Sequence, residues 1–266
     1  MAPDGTPVIF VHGLWLHADS WGPWVDRFRE AGYSPIAPGW PGDSSTVAET
    51  RHKTELVAGH GIEDVVQHYA GVIRGLDAKP IAIGHSFGGL IVQRLLGEDL
   101  AAAAVAIDPA PIKGVLRLPL SALRVASIAL RNPANRKRAV ALTAEQFRYG
   151  FGNAVSADES AELHERWTIP SPGRPLFEAA MANLSPGSPA KVNTANSTRG
   201  PLLVTAGGKD HTVPAAISRS TLKLYRKSPA VTDSKEFPDR GHSLTIDHGW
   251  PEFADAVLAW LKSHSL

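Results

Sequence analysis

Cysteine is absent from all 266 residues, which removes disulfides, thiolate-bound metals and a cysteine nucleophile together. Any covalent catalysis must use another side chain. An excess of either charge sign is missing too: 27 Lys and Arg stand against 26 Asp and Glu, a formal net charge of +1. Nothing in that balance calls for a nucleic-acid partner. The sharpest local charge run, 131–138, holds Arg131, Arg136, Lys137 and Arg138 and reads as a solvated loop and helix face. No apolar stretch approaches the roughly 18 residues of a membrane span. Neither a basic leader nor a long apolar segment precedes Val8, so a cytoplasmic protein without a signal peptide is expected.

Metal and cofactor signatures are also missing. None of the 11 histidines falls in a His-Glu-x-x-His arrangement, and no thiol can complete a zinc site. Gly207-Gly208-Lys209 resembles a phosphate loop only superficially, because Leu203 stands where such a loop needs its first glycine. No dinucleotide fingerprint occurs, so neither metal nor cofactor is expected.

What is present is alternation. Short apolar runs at 8–11, 36–37, 80–83, 103–107 and 202–206 have the length and composition of buried parallel strands. Helix-compatible segments lie between and after them at 21–31, 62–76, 87–96, 215–225 and 251–261. A parallel sheet with crossover helices, on both of its faces, follows from that order. In the last segment Phe253, Val257, Trp260 and Leu261 share one apolar face, which assigns Trp260 to the core. From Ile112 to about Arg199 the alternation stops and helical patterns follow one another at 118–130, 144–149, 158–167 and 177–183, with no strand among them. The chain therefore reads as a core of residues 1–111 and 200–266 with an inserted, all-helical lid over 112–199.

The most informative stretch is Gly84-His85-Ser86-Phe87-Gly88-Gly89, directly after a strand and before a helix. A serine at such a turn is held in a strained conformation, with glycines two residues either side leaving room for neighbouring chain. That is a nucleophile elbow. The backbone N–H of Phe87 then points toward charge developing on a bound carbonyl oxygen. A serine hydroxyl needs a base, and the base needs an acid to orient it. Asp210 follows the strand at 202–206, and His242 sits on the loop before the last helix, which places both at the sheet edge where α/β sites form. Asp108 also ends a strand, before Pro109; it is a rival acid or a turn-starting or helix-capping carboxylate. Gly13, after the first strand, permits a turn that offers the Leu14 N–H as second oxyanion donor.

Taken together, His12-Gly13, Gly84-x-Ser86-x-Gly88, Asp210 and His242 resemble the α/β-hydrolase superfamily, of the serine esterase and lipase kind with a helical lid. The likeness spans the whole core. Many members carry two further strands before the His-Gly strand; this chain has few residues there, which implies a mostly parallel sheet of about six strands. The resemblance implies hydrolysis of a carboxylic ester or lactone through an acyl-enzyme, with Ser86, Asp210 and His242 as triad and Leu14 and Phe87 as oxyanion hole. A serine at the elbow argues against the aspartate-nucleophile branches, haloalkane dehalogenases and epoxide hydrolases. Perhydrolysis, acyl transfer, C–C bond hydrolysis, cyanohydrin cleavage and a ligand-binding protein on the same fold stay open.

Trp15, Trp40, Leu14 and Phe87 flank the site in sequence, and Phe147, Tyr149, Phe151 and Trp167 come from the lid. Some of these should line an apolar pocket, Trp15 and Phe87 foremost. His12 is expected to hold its turn by hydrogen bonds, and His85 to be a packed neighbour. His17, His60, His211 and His248 are expected at the surface or in loops, with Arg174 solvated. A small-molecule ester or lactone is the expected partner.

Overall fold

The computed structural model describes residues 5–266; residues 1–4, part of the start read above as carrying no leader, lie outside it. Six strands form the main sheet: β1 (Pro7–Val11), β2 (Ser34–Ile36), β3 (Ile81–His85), β4 (Ala103–Ile107), and, beyond two short strands, β7 (Leu202–Gly207) and β8 (Thr232–Phe237). Their order is β2-β1-β3-β4-β7-β8 and every pairing is parallel. Alternation of side chains along each strand divides the core in two. Ile9, Val11, Ala82, Ala104, Ala106, Leu202 and Val204 face the helices Ile62–Arg74, Phe87–Gly97 and Ala215–Tyr225. Val8, Phe10, Ile81, Ile83, Val105 and Leu203 face the helices Gly22–Glu30 and Trp250–Ser263.

Because β1 lies between β2 and β3, the chain runs outward to β2 and then reverses past β1 to β3. That reversal opens a crevice beyond the carboxyl ends of β1 and β3, where open α/β sheets place ligands.

The stretch between β4 and β7 contains the helices Leu120–Leu130, Ala144–Gly150, Ala157–Trp167 and Arg174–Ala180. It is not all-helical, as the sequence pattern suggested. Two-residue strands, β5 (Ala139–Val140) and β6 (Ser171–Pro172), pair antiparallel within it. Such short pieces carry no periodicity of their own and are fixed by what they touch: Ser171 Oγ accepts from the Trp15 N–H at 2.6 Å and Val140 O from the Trp15 indole at 3.0 Å. Arg131, Arg136, Lys137 and Arg138 are exposed, as a solvated charge run should be. In the last helix Trp260 is only half-buried; its indole donates to Asp233 at 2.8 Å, and Ala254 and Leu258 complete the buried face instead. Among the described residues no helix is long and apolar enough to cross a membrane.

Candidate active site

Ser86 joins β3 to the helix Phe87–Gly97 with φ 57 and ψ −119. A side chain rarely adopts this conformation without being over-determined by its surroundings. Here the Ser86 N–H donates to Ile107 O at 2.9 Å, while Ser86 O accepts from the N–H groups of Gly89 and Ala110, both at 2.9 Å. The flanking glycines are sterically required: a Cβ on Gly84 would collide with the Gly88 backbone, and one on Gly88 with the Val11 backbone. Phe87 opens its helix, so its N–H belongs to the first turn, which has no intrahelical acceptor.

Across the crevice, the loop after β1 is pinned by His12, whose Nδ1 lies 2.9 Å from Gly13 O and whose Nε2 lies 3.0 Å from Asp43 Oδ2. Trp40 braces the same residue, its backbone N–H donating to His12 Nε2 at 3.1 Å and its indole to the His12 backbone carbonyl at 2.9 Å. Trp15 takes a positive φ of 69, and its N–H is occupied by Ser171.

Asp210 and His242 come together from the ends of β7 and β8, with His242 Nδ1 2.6 Å from Asp210 Oδ2 and both side chains fully buried. The other carboxylate oxygen, Oδ1, accepts from the N–H groups of Thr212 at 2.6 Å and Val213 at 2.8 Å. Three donors thus fix the Asp210 carboxylate. His242 Nε2, the nitrogen away from Asp210, is buried and has no hydrogen-bond partner among the described residues. The Phe151 ring stands edge-on to the imidazole at 4.6 Å between centroids, and the His85 ring lies 4.5 Å away. Burial, reinforced by the adjacent His242, holds His85 well below the ordinary histidine range, so its ring packs there uncharged.

Asp108 also belongs to this cluster, and neither a turn nor a helix cap explains it. It has a positive φ of 42 and is fully buried. Its Oδ1 accepts from the Gly207 N–H at 3.0 Å, tying the end of β4 to the end of β7. Burial and the nearby Asp210 push its carboxyl well above the usual range.

Ser86 lies in the wall of an apolar cavity of about 100 Å³ that Trp15, Phe87, Ala110 and Val213 also line. Apart from Thr212, the rest of the wall is aliphatic, and Leu118, Ala122, Leu123, Leu130 and Leu176 come from the stretch between β4 and β7. The aromatics of the stretch between β4 and β7 that were expected there are elsewhere. Phe147 stacks on Phe151 at 5.1 Å, Phe151 packs on His242, Tyr149 lies beneath the Arg124 guanidinium, and Trp167 borders a separate surface hollow. Leucine and alanine at helical spacing read as core, which is why sequence reasoning missed the true lining. Leu14 is buried and, like Trp40, is absent from the cavity wall.

His17 sits in a loop, as expected, and is buried there; it caps the turn at 18–21 through the Asp19 N–H at 3.1 Å and reaches Ser44 O at 3.0 Å. Arg174 pairs with Glu178 at 2.8 Å and stands away from the cavity. A larger open groove involving Glu63, Arg94, Arg174 and Glu178 contains none of the residues discussed as catalytic.

Residues 8–256 match the model of the alpha/beta hydrolase family, and the chain belongs to that family. No curated protein matches the sequence. Among solved structures it is similar to a monoacylglycerol lipase of Paleococcus ferrophilus, with 23% identity over 99% of this chain and 96% of that one and a TM-score of 0.67. An extracellular alpha/beta-hydrolase from a Paenibacillus species is 20% identical over 96% and 98%, with a TM-score of 0.70. A thermophilic esterase from Thermogutta terrifontis is 17% identical over 100% and 92%, with a TM-score of 0.68. At these identities the likeness is one of fold.

Proposed function

We propose that this alpha/beta hydrolase cleaves a carboxylic ester or lactone through an acyl-enzyme formed on Ser86. The observation that carries the reading is the buried 2.6 Å contact between Asp210 and His242, which leaves the second imidazole nitrogen unpartnered at the sheet edge that also holds the strained Ser86. In this mechanism Ser86 Oγ attacks the substrate carbonyl while His242 Nε2 takes its proton. The oxyanion is held by the N–H groups of Leu14 and Phe87. His242 then protonates the leaving alcohol, activates water against the acyl-enzyme, and returns the proton to Ser86. Asp210 keeps the imidazole in the tautomer with Nδ1 protonated and stabilises the imidazolium that forms. No step requires a cofactor.

The cavity supports a narrow substrate class. About 100 Å³ holds about three water-sized groups, and the wall contributes no charged side chain. A short, uncharged acyl or alkyl group fits. In this reading the segment 112–199 acts as a lid on the core of residues 1–111 and 200–266, and longer chains enter only if it moves. Hydrolysis of p-nitrophenyl acetate and butyrate by the wild type and by Ser86→Ala tests the proposal. Turnover by the wild type and its loss in a folded variant support it; equal rates in both contradict it. Tight binding of a small apolar ligand without turnover would favour a binding protein.

A further inference from the structure

Two carboxyl groups stand buried side by side at the back of the proposed triad, and only one is provided for as an anion. Atoms of Asp108, Asp210 and His242 lie within 4.8 Å of one another. Asp210 receives two backbone N–H groups and the imidazole. Asp108 receives one backbone N–H on Oδ1, and its Oδ2 is buried with no hydrogen-bond partner among the described residues. Two unscreened negative charges so close in a dry site repel strongly, and such pairs resolve by keeping one proton. The asymmetry of donors decides where that proton sits.

We infer that Asp108 is a neutral carboxylic acid whose Oδ2–H donates toward the Asp210 carboxylate, making it a positioning residue that sets how strongly Asp210 supports His242. The raised affinity of Asp108 for its proton, caused first by burial and then by Asp210, agrees with this placement. The catalytic part of the inference rests on the Ser86 hydrolase reading; the protonation state does not. The other titratable group in this packing is His85, held neutral. On the neighbouring loops, Lys209 pairs with Asp239 at 3.1 Å and Arg240 with Asp247. Among the described residues, no lysine or arginine therefore neutralises Asp108 in place of a proton.

A donor to Asp210 spreads its charge and weakens its pull on the imidazole. Removing that donor strengthens the pull, stabilises the imidazolium, and moves the acid limb of the rate profile to higher pH. Asp108→Asn keeps both contacts, its carbonyl for Gly207 and its amide for Asp210. Asp108→Leu keeps the shape and loses both.

The test combines infrared difference spectra at neutral pH with pH profiles of kcat/KM for short esters. A protonated-carboxyl carbonyl band in the wild type that disappears in Asp108→Asn is expected. The acid limb of Asp108→Asn should coincide with the wild type, and that of Asp108→Leu should lie higher by about one pH unit, the scale of one hydrogen bond to a charged group. Absence of the band would overturn the inference, as would an unmoved acid limb in folded Asp108→Leu. If Asp108→Leu does not fold, the band and the Asn profile decide. If the wild type shows no ester turnover, the hydrolase reading fails while the band still decides the protonation of Asp108.

Discussion

A Cβ placed on Gly13 would stand 2.7 Å from the Cβ of Ser86 and 2.8 Å from the carbonyl oxygen of His85. The loop after β1 and the turn after β3 are therefore packed as one unit, and neither can carry its functional groups without the other. Gly13→Ala should fold but displace either the serine or the Leu14 N–H. A displacement approaching 1 Å at a reacting centre costs about 10²-fold in rate. Ester kinetics read this as a fall in kcat larger than any rise in KM.

The acid can be assigned by exchange. Asp210→Asn removes the carboxylate that orients His242 and should lower kcat by about three to four orders of magnitude. Asp108→Asn should fall far less, because its contacts survive. Equal losses in the two variants would contradict the assignment of Asp210.

Asp108 also makes a prediction about stability. Its proton is held more tightly in the folded chain than in the unfolded one. A carboxyl raised in this way costs nothing below the unfolded range near about 3.9. As pH climbs, the unfolded chain ionises first and stability falls until the folded group itself titrates, with a slope of at most about 1.4 kcal/mol per pH unit. Asp108→Asn abolishes that slope. Thermal unfolding from pH 4 to pH 7 should therefore show the Asn variant gaining on the wild type as pH rises, and parallel curves would contradict the raised affinity.

Ala122 lies on the buried face of the helix Leu120–Leu130 and lines the cavity. Ala122→Leu should fill much of the about 100 Å³. Each methylene of a pocket is worth about 10- to 200-fold in discrimination, so kcat/KM for butyrate should drop at least about tenfold relative to acetate. An unchanged ratio would place the acyl group elsewhere.

The sheet was legible because buried parallel strands announce themselves as short apolar runs, and the elbow because Gly84, Ser86 and Gly88 meet steric demands that act within a few residues. The meeting of Asp210 with His242 was legible in outline, since both residues follow strand-like pieces and so fall at one edge. Contacts made only by tertiary packing were not. Nothing near Asp108 in sequence reveals that Asp210 lies beside it, and a buried strand end looks like any turn. Leu118, Leu123 and Leu176 carry no mark that separates a cavity wall from a core. β5 and β6 are too short to have a period, and His17 is buried because Ser44, from another loop, receives its ring.

The proposed hydrolysis depends above all on Ser86 being a nucleophile activated by His242. Incubation with a fluorophosphonate, followed by peptide mass spectrometry, tests it most directly. A single phosphonyl adduct is expected on the peptide containing Ser86, lost in His242→Ala and in Ser86→Ala. Folded wild-type protein with no adduct, or with one on another residue, would contradict it.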